Sequence, residues 1–252
     1  MPNNLIAVNV GSYGRYRENA LAHLQSIGIR HVEIPVPAPE QAESVARQLR
    51  EYSLSVSTMI APCNLAQPEE TFAPAARMAR EMGVPILFIS AKAGEMPSGQ
   101  AYERLRELAR IADECGVTLS LETHPDLAEN ASAARETIEA VGHPRLGWNL
   151  DTANLYYYNQ GADAVEECRR GLDLIRSVHL KDTNGGFKTW HFPALGDGVV
   201  DFAGVFRLLN DRGFAGPFTF ELEGIEGETL TEAETQTRVA RSLDHLRAIG
   251  VT

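Results

Sequence analysis

The sequence predicts a single (β/α)8 TIM barrel over residues 1–252. Three observations support this prediction: the length of 252 residues, the alternation of short β-rich runs with longer helical runs, and the presence of eight such units. Eight alternating units in about 250 residues are the content of one closed barrel. A doubly wound sheet is the structural alternative, but the segment GSYGRY after the first β-rich run does not match the GxGxxG phosphate-binding pattern. No Pro- or Ser-rich linker divides the chain.

Eight segments have the length and the apolar or β-branched composition of buried strands. They are Leu5–Val10, His31–Val36, Leu54–Ile60, Pro85–Ser90, Val117–Glu122, Leu146–Asp151, Ile175–Lys181 and Pro217–Glu223. Four glycines share a position between a helical run and the next strand: Gly28, Gly83, Gly116 and Gly213. Glycine is common there because a helix often ends on a residue in the left-handed conformation.

The longest irregular segment is Asp182–Gly198, which follows the seventh predicted strand. Loops of this length are uncommon and are often functional. The segment also begins at the end of the barrel where active sites are built. Beyond it, Asp201 directly precedes an apolar run and is predicted to cap the next helix.

Metal-capable side chains occur near the C-terminal ends of the fifth to eighth predicted strands. They are Glu122, Asp151, His179 and Glu221. Their separations are 29, 28 and 42 residues (151−122, 179−151 and 221−179), which correspond to one βα unit, one unit, and one unit plus the long loop. In each strand the bulky apolar residues have the opposite parity, so the four side chains are predicted to point into the mouth of the barrel.

Three converging carboxylates repel one another, and a divalent cation relieves that repulsion. Three oxygen donors and one nitrogen donor suit one ion of Mn²⁺, Mg²⁺, Co²⁺ or Zn²⁺, with coordination positions left open for a substrate. Taken alone, each residue has an ordinary structural explanation, such as a helix cap, a solvated carboxylate or a core histidine. Their occurrence on four consecutive strands with one parity favours the metal site.

At these residues the sequence resembles the sugar isomerase/epimerase superfamily of xylose-isomerase-like barrels. The most specific segments are LETHP, LDTAN, VHLKD, PALGDGVVDF and FELEG. The resemblance covers nearly the whole chain. It implies that Glu122, Asp151, His179 and Glu221 bind the metal, and that Glu122 and Glu221 are also the catalytic proton-transfer pair.

The implied activity is that of a metal-dependent isomerase or epimerase acting on a sugar, a sugar phosphate or a related keto-polyol. Removal of a proton next to the carbonyl gives an enediolate that the metal stabilises. A dehydratase (lyase) of the inosose or 3-dehydroshikimate type is the alternative, since it begins with the same proton abstraction. Endonuclease IV-like DNA repair is a remote third hypothesis, because it requires three zinc ions and more histidines. A non-catalytic barrel is the fourth, and the complete ligand set argues against it.

Five further residues are expected to contact the substrate: His124, Asn154, Lys181, His191 and Glu33. Asn154 stands where ketose epimerases usually have a histidine, which counts against a ketose 3-epimerase. The alternatives are core packing for His124 and a solvated side chain for Lys181. His191 is expected to touch either the substrate or a second metal. The parity of Glu33 directs its side chain into the barrel. Instead of contacting the substrate, Glu33 could orient a metal ligand or form an ion pair inside the barrel.

Composition limits the partners. The formal net charge is −11, with 23 Lys and Arg against 34 Asp and Glu, which argues against nucleic acid as a partner. Three widely spaced cysteines favour a reducing, cytoplasmic compartment. The sequence has no signal-peptide pattern and no apolar run long enough to span a membrane. The expected partner is a small polyhydroxylated substrate, and the oligomeric state stays open, a homo-oligomer included.

Overall fold

In the computed structural model, which describes residues 4–251, eight parallel strands close into a barrel. They are Leu5–Asn9 (β1), His31–Pro35 (β2), Ser55–Ile60 (β3), Ile86–Ile89 (β4), Thr118–Glu122 (β5), Leu146–Asp151 (β6), Ile175–Leu180 (β7) and Pro217–Phe220 (β9). The strand between the last two, His191–Phe192 (β8), lies outside the barrel. β9 pairs with β7 on one side and with β1 on the other, which closes the sheet. The predicted (β/α)8 barrel is confirmed. The predicted domain also includes residues 1–3 and 252, which lie outside the described residues.

Helices connect the strands and cover the outside of the barrel. They are α1 (Ala20–Ser26), α2 (Ala42–Glu51), α3 (Pro68–Glu81), α4 (Ser98–Glu114), α5 (Ala131–Val141), α6 (Asn154–Tyr158), α7 (Ala164–Arg170), α8 (Phe202–Asp211) and α9 (Glu232–Ala248). Short 3-10 segments, Val10–Asn19 and Pro39–Gln41, precede α1 and α2. Between residues 4 and 251, no helix is both long enough and apolar enough to cross a membrane.

The predicted helix ends are confirmed at all four glycines. Gly28, Gly83, Gly116 and Gly213 have φ angles of +89°, +70°, +73° and +74°, each just after a helix. Asp201 accepts a hydrogen bond from the Gly204 N–H at the start of α8, so the predicted cap is confirmed as well.

The register of the barrel brings the ends of the strands to one rim. Asp151 on β6 lies directly opposite His179 on β7, and Glu122 on β5 pairs with the β6 residue two positions before Asp151. The apolar residues of opposite parity, such as Leu121 and Leu150, are buried in the core that the helices share. Strand parity therefore separates the apolar outer face from a polar rim.

The last barrel strand and the long loop differ from the prediction. β9 ends at Phe220 rather than Glu223, because the Leu222 N–H donates to Ser12 Oγ at 3.0 Å instead of to a neighbouring strand. The chain then enters a two-residue strand, Gly224–Ile225 (β10), at a glycine with φ +85°. β10 pairs antiparallel with His191–Phe192 (β8), a short strand inside the predicted loop.

Candidate metal centre

The four predicted ligands converge at the C-terminal rim of the barrel. Glu122 is the last residue of β5, and Asp151 is the last residue of β6. His179 is the second-last residue of β7, and Glu221 directly follows β9. One donor atom from each lies within 4.8 Å of the donor atoms of all the others. Within the described part of the chain, this is the single cluster of three or more His, Cys, Asp or Glu side chains with such geometry.

The orientation of Asp151 is set by the first turn of α6. Its Oδ1 accepts hydrogen bonds from the N–H groups of Ala153 and Asn154, both at 2.9 Å. These bonds occupy one carboxylate oxygen and turn the other, Oδ2, toward the centre of the cluster. Oδ2 lies 4.0 Å from His179 Nδ1.

The orientation of His179 depends on Glu33 of β2. His179 Nε2 lies 3.1 and 3.2 Å from the two oxygens of Glu33, whose Oε1 also accepts a hydrogen bond from Asn9 Nδ2 at 3.0 Å. Histidines that bind a metal commonly donate their second N–H to a carboxylate. His179 Nδ1 is therefore the atom available as a ligand. Of the predicted roles for Glu33, its contacts match both orientation of a ligand and an ion pair inside the barrel, because His179 is the partner in either case.

The donor atoms fit a divalent cation. Asp151 Oδ2, His179 Nδ1 and Glu221 Oε2 are buried and form no hydrogen bond of regular geometry among the described residues, although the two oxygens lie within ion-pair distance of Lys181 Nζ. A buried polar atom without a partner is costly. Donors around a cation at about 2.0–2.2 Å lie only a few ångströms apart, as these do. The oxygen-rich set with one imidazole suits Mn²⁺, Mg²⁺, Co²⁺ or Zn²⁺.

Lys181 is buried within the same cluster. Its Nζ lies 2.9 Å from Asp151 Oδ2, 2.7 Å from Glu221 Oε2 and 2.7 Å from Glu223 Oε2, and it donates to Asn154 Oδ1 at 3.2 Å. Its side chain is 1% exposed, so the alternative of a solvated lysine is wrong. This placement follows from parity, because residue 181 shares the inward direction of His179.

The carboxylates of Glu122 and Glu221 have opposite electrostatic environments. Burial, followed by the negative charge of Glu221, raises the pKa of Glu122 to about 8. Burial also disfavours the charge of Glu221, but Lys181 and His179 outweigh it and hold its pKa well below the usual range. Carboxylates whose pKa values are separated in this way can act as an acid and a base in one site.

A cavity of about 250 Å³ opens beside Glu122. Its lining includes three residues that the sequence predicts as substrate contacts, namely His124, Asn154 and Lys181. The ring of His124 is fixed by Tyr158, whose hydroxyl lies 2.8 Å from His124 Nε2. Asn154 Nδ2 also donates to Glu122 Oε1 at 3.3 Å.

A second cavity, of about 550 Å³, lies on the Glu221 side of the cluster. The segment after β1, which includes Arg15 and Tyr16, lines it together with residues that precede α9. Trp190 and Glu223 line both cavities. Glu122 and Glu221 therefore face two adjacent spaces at the mouth of the barrel.

His191 lies in β8, half-buried, between two residues that line the smaller cavity, Trp190 and Phe192. Side chains alternate along a strand, so the His191 ring is directed away from that cavity. Its backbone pairs with Ile225 of β10. The described residues contain no second metal-capable cluster that would include His191.

Sequence reasoning did not identify Glu223, Tyr158 and Trp190 as residues of the site. Glu223 shares the parity of Glu221 in the FELEG segment, so the pattern that identified one carboxylate also applies to the other. Trp190 lies within the predicted functional loop. Tyr158 has no comparable sequence pattern, because its position depends on the length and direction of α6.

Comparison with known proteins places the chain in a family. Residues 21–249 match the sequence profile described as xylose isomerase-like TIM barrel. Over 137 residues the chain is 31% identical to inosose dehydratase of Erwinia tasmaniensis, covering 48% of this chain and 46% of the relative. Over 192 residues it is 27% identical to L-ribulose-5-phosphate 3-epimerase of Escherichia coli, covering 73% of this chain and 64% of the relative. The matches thus span less than two thirds of either relative.

Solved structures share the fold over almost the full length. L-ribulose 3-epimerase is 19% identical with a TM-score of 0.79, covering 98% of this chain and 94% of that chain. D-psicose 3-epimerase with D-tagatose, from Clostridium cellulolyticum H10, is 14% identical with a TM-score of 0.80, covering 97% and 99%. At these identities the likeness shows the fold alone. Because the family profile matches most of the chain and the barrel is closed, this protein belongs to the xylose isomerase-like TIM barrel family.

Proposed function

We propose that this protein is a divalent-metal-dependent epimerase or isomerase of a ketose, a sugar phosphate or a related keto-polyol. The observation that carries the proposal is the pair Glu122 and Glu221. Both carboxylates belong to the candidate metal cluster, and they face different cavities. Such a pair can remove a proton from one face of a carbon and return it on the other.

Each residue of the site has a definable part in this chemistry. A divalent ion held by Glu122, Asp151, His179 and Glu221 supplies polarisation of the substrate carbonyl and the neighbouring hydroxyl. One of the two glutamates removes the proton next to the carbonyl, and the other returns it. Return of the proton to the opposite face of the same carbon inverts the configuration of that carbon, which is epimerisation. Return of the proton to the neighbouring carbon moves the carbonyl group, which is isomerisation.

Residues around the smaller cavity orient the substrate in this proposal. His124 and Asn154 present polar atoms to the hydroxyl groups of a sugar. Trp190 and Phe192 provide aromatic faces against which its C–H groups pack. Most of the residues that line the cavity lie at or after the ends of β5, β6 and β7, where substrate contacts of this fold form.

Relatives support epimerisation and keep one alternative open. The named activities of the Escherichia coli relative and of the two solved structures are 3-epimerisations of ketoses or their phosphates. The Erwinia tasmaniensis relative is named an inosose dehydratase. Dehydration begins with the same proton abstraction, so a metal-dependent dehydratase is the second candidate.

The test is turnover by the Mn²⁺-loaded protein on a panel of ketoses, ketose phosphates, inososes and 3-keto sugars in D₂O, followed by NMR. We expect epimerised or isomerised product with deuterium at the inverted or newly protonated carbon. Glu122→Gln and Glu221→Gln are expected to lower kcat by about 10²–10⁴-fold, the range of general acid–base catalysis. Glu139→Gln, an exposed residue of α5, is the control and is expected to match the wild type.

The outcomes separate the candidates. Loss of water from an inosose without an epimerised product would establish the dehydratase instead. Turnover that is unaffected by both glutamine substitutions, or by metal removal, would refute the proposed site.

A further inference from the structure

We propose that Lys181 is an internal cation that neutralises the metal-binding carboxylates in the metal-free protein, and that its ammonium transfers to Glu223 when the divalent ion binds. The inference deepens the proposed function, because it concerns the same site. It rests on the two sets of partners that surround a single buried ammonium group.

The inner partners of Lys181 are two of the candidate ligands. Its Nζ lies 2.9 Å from Asp151 Oδ2 and 2.7 Å from Glu221 Oε2. These two oxygens form no hydrogen bond of regular geometry, so the ammonium holds them chiefly by its charge. A divalent ion bound to both at about 2.0–2.2 Å would lie no more than about 5 Å from the ammonium. At that distance two positive charges repel strongly in a buried site.

The outer partners lie outside the ligand set. Glu223 Oε2 accepts a hydrogen bond from Lys181 Nζ at 2.7 Å, and Asn154 Oδ1 accepts one at 3.2 Å. The ring centroid of Phe192 lies 5.2 Å from the same ammonium, which adds a cation–π contact. Rotation of the lysine side chain toward Glu223 would break the contacts to Asp151 and Glu221 and keep the ammonium paired with a carboxylate.

The displacement has a consequence for the substrate site. Lys181, Asn154 and Glu223 all line the smaller cavity. An ammonium held by Glu223 and Asn154 still lines this cavity, where its third N–H is available to a substrate oxygen. Occupation of the metal site and presentation of the ammonium to the cavity are thereby coupled through one side chain.

The test compares Mn²⁺ affinity by isothermal titration calorimetry in wild type, Lys181→Met and Lys181→Gln. Removal of a competing cation is expected to tighten Mn²⁺ binding by roughly tenfold or more. The metal-free Lys181→Met protein is expected to melt at a lower temperature than the metal-free wild type, because its carboxylates lose their counter-ion. Lys181→Gln retains a polar group in the cluster and keeps the test valid if Lys181→Met does not fold.

Glu223→Gln tests the transfer itself. In the wild-type background it should weaken Mn²⁺ binding several-fold, because the displaced ammonium loses its charged partner. In the Lys181→Met background the same substitution should have little effect, since Glu223 acts through Lys181 in this scheme.

Two results would overturn the inference. One is unchanged or weaker Mn²⁺ binding by both Lys181 variants, which would make Lys181 a supporting part of the metal site. The other is an equal effect of Glu223→Gln in both backgrounds, which would make Glu223 act on the ion directly. Either result leaves the proposed function standing if Glu122→Gln and Glu221→Gln still lower kcat by about 10²–10⁴-fold, so the two failures are distinguishable.

Discussion

Gly171 shows how closely the chain packs at the level of single residues. Its backbone angles, φ −101° and ψ +11°, are open to any residue. A Cβ at this position would nevertheless lie 2.7 Å from Cε3 of Trp148 and nearer still to Cζ3. Trp148 is fully buried on the outer face of β6, so its ring has no free space into which it can move. Glycine is required at residue 171 because any side chain there would collide with the Trp148 ring, and not because the backbone adopts an unusual conformation.

We therefore expect Gly171→Ala to lower the free energy of unfolding by about 1–3 kcal/mol, the usual cost of overpacking. Gly99→Ala is the matched control, because a Cβ there meets nothing within 4 Å and Gly99 lies in the first turn of α4. It should leave stability unchanged or raise it by up to about 1 kcal/mol. Urea denaturation followed by circular dichroism measures both, and equal effects would contradict the steric explanation.

Among the elements, the loop between β7 and α8 depends most on one side chain. The fully buried carboxylate of Asp182 accepts hydrogen bonds from the N–H groups of Thr183, Gly196, Gly198 and Val200, at 2.8–3.2 Å. These bonds draw both ends of the loop to the end of β7. The loop between them carries Trp190 and Phe192 to the smaller cavity. One carboxylate thus binds four backbone N–H groups of an otherwise irregular segment.

Asp182→Ala is expected to lower the free energy of unfolding by about 2–4 kcal/mol, because buried N–H groups lose a charged acceptor. It should also expose the loop to limited proteolysis between residues 183 and 200. Asp182→Asn should have a smaller effect, since one oxygen still accepts. Asp201→Ala, which removes only the cap of α8, should cost about 1 kcal/mol without new cleavage in the loop. Equal cleavage in the two alanine variants would show that Asp182 does not hold the loop.

For the whole molecule, the candidate centre joins elements that are distant in the chain. Its four side chains come from four barrel strands or their ends, spread over residues 122–221. Glu33 adds a further strand, 146 residues away from His179. A cation bound at this point would therefore stabilise the closed barrel rather than one local segment.

Mn²⁺ at 100 times its Kd is expected to stabilise the fold by about 2.7 kcal/mol. For a chain of this size that corresponds to a rise in Tm of roughly 5–11 °C. Differential scanning calorimetry with and without EDTA measures the shift. Asp151→Asn should abolish most of it, because Asp151 contributes a buried ligand oxygen. A Tm that does not respond to any of Mn²⁺, Mg²⁺, Co²⁺ or Zn²⁺ would contradict the metal site.

Much of the fold and the ligand set can be read from local patterns. The alternation of strands and helices depends on turn residues and on periodicities of 2 and 3.6, which are properties of neighbouring residues. The inward direction of Glu122, Asp151, His179 and Glu221 follows from the same parity, and their similar height follows from the repeat of the βα unit. Lys181 and Glu223 obey that parity as well, although their pairing does not follow from it.

By itself, the sequence determined the eight-unit barrel, the rim on which the polar side chains meet and the four candidate ligands, because these depend on order and spacing along the chain. Only the tertiary structure decided that Glu33 orients His179, that the Lys181 ammonium lies between Glu221 and Glu223, and that β9 ends early against Ser12. Each of these contacts joins side chains from strands or loops far apart in the chain. Closure of the sheet sets their distances, and no local periodicity specifies which partner a buried charge will meet.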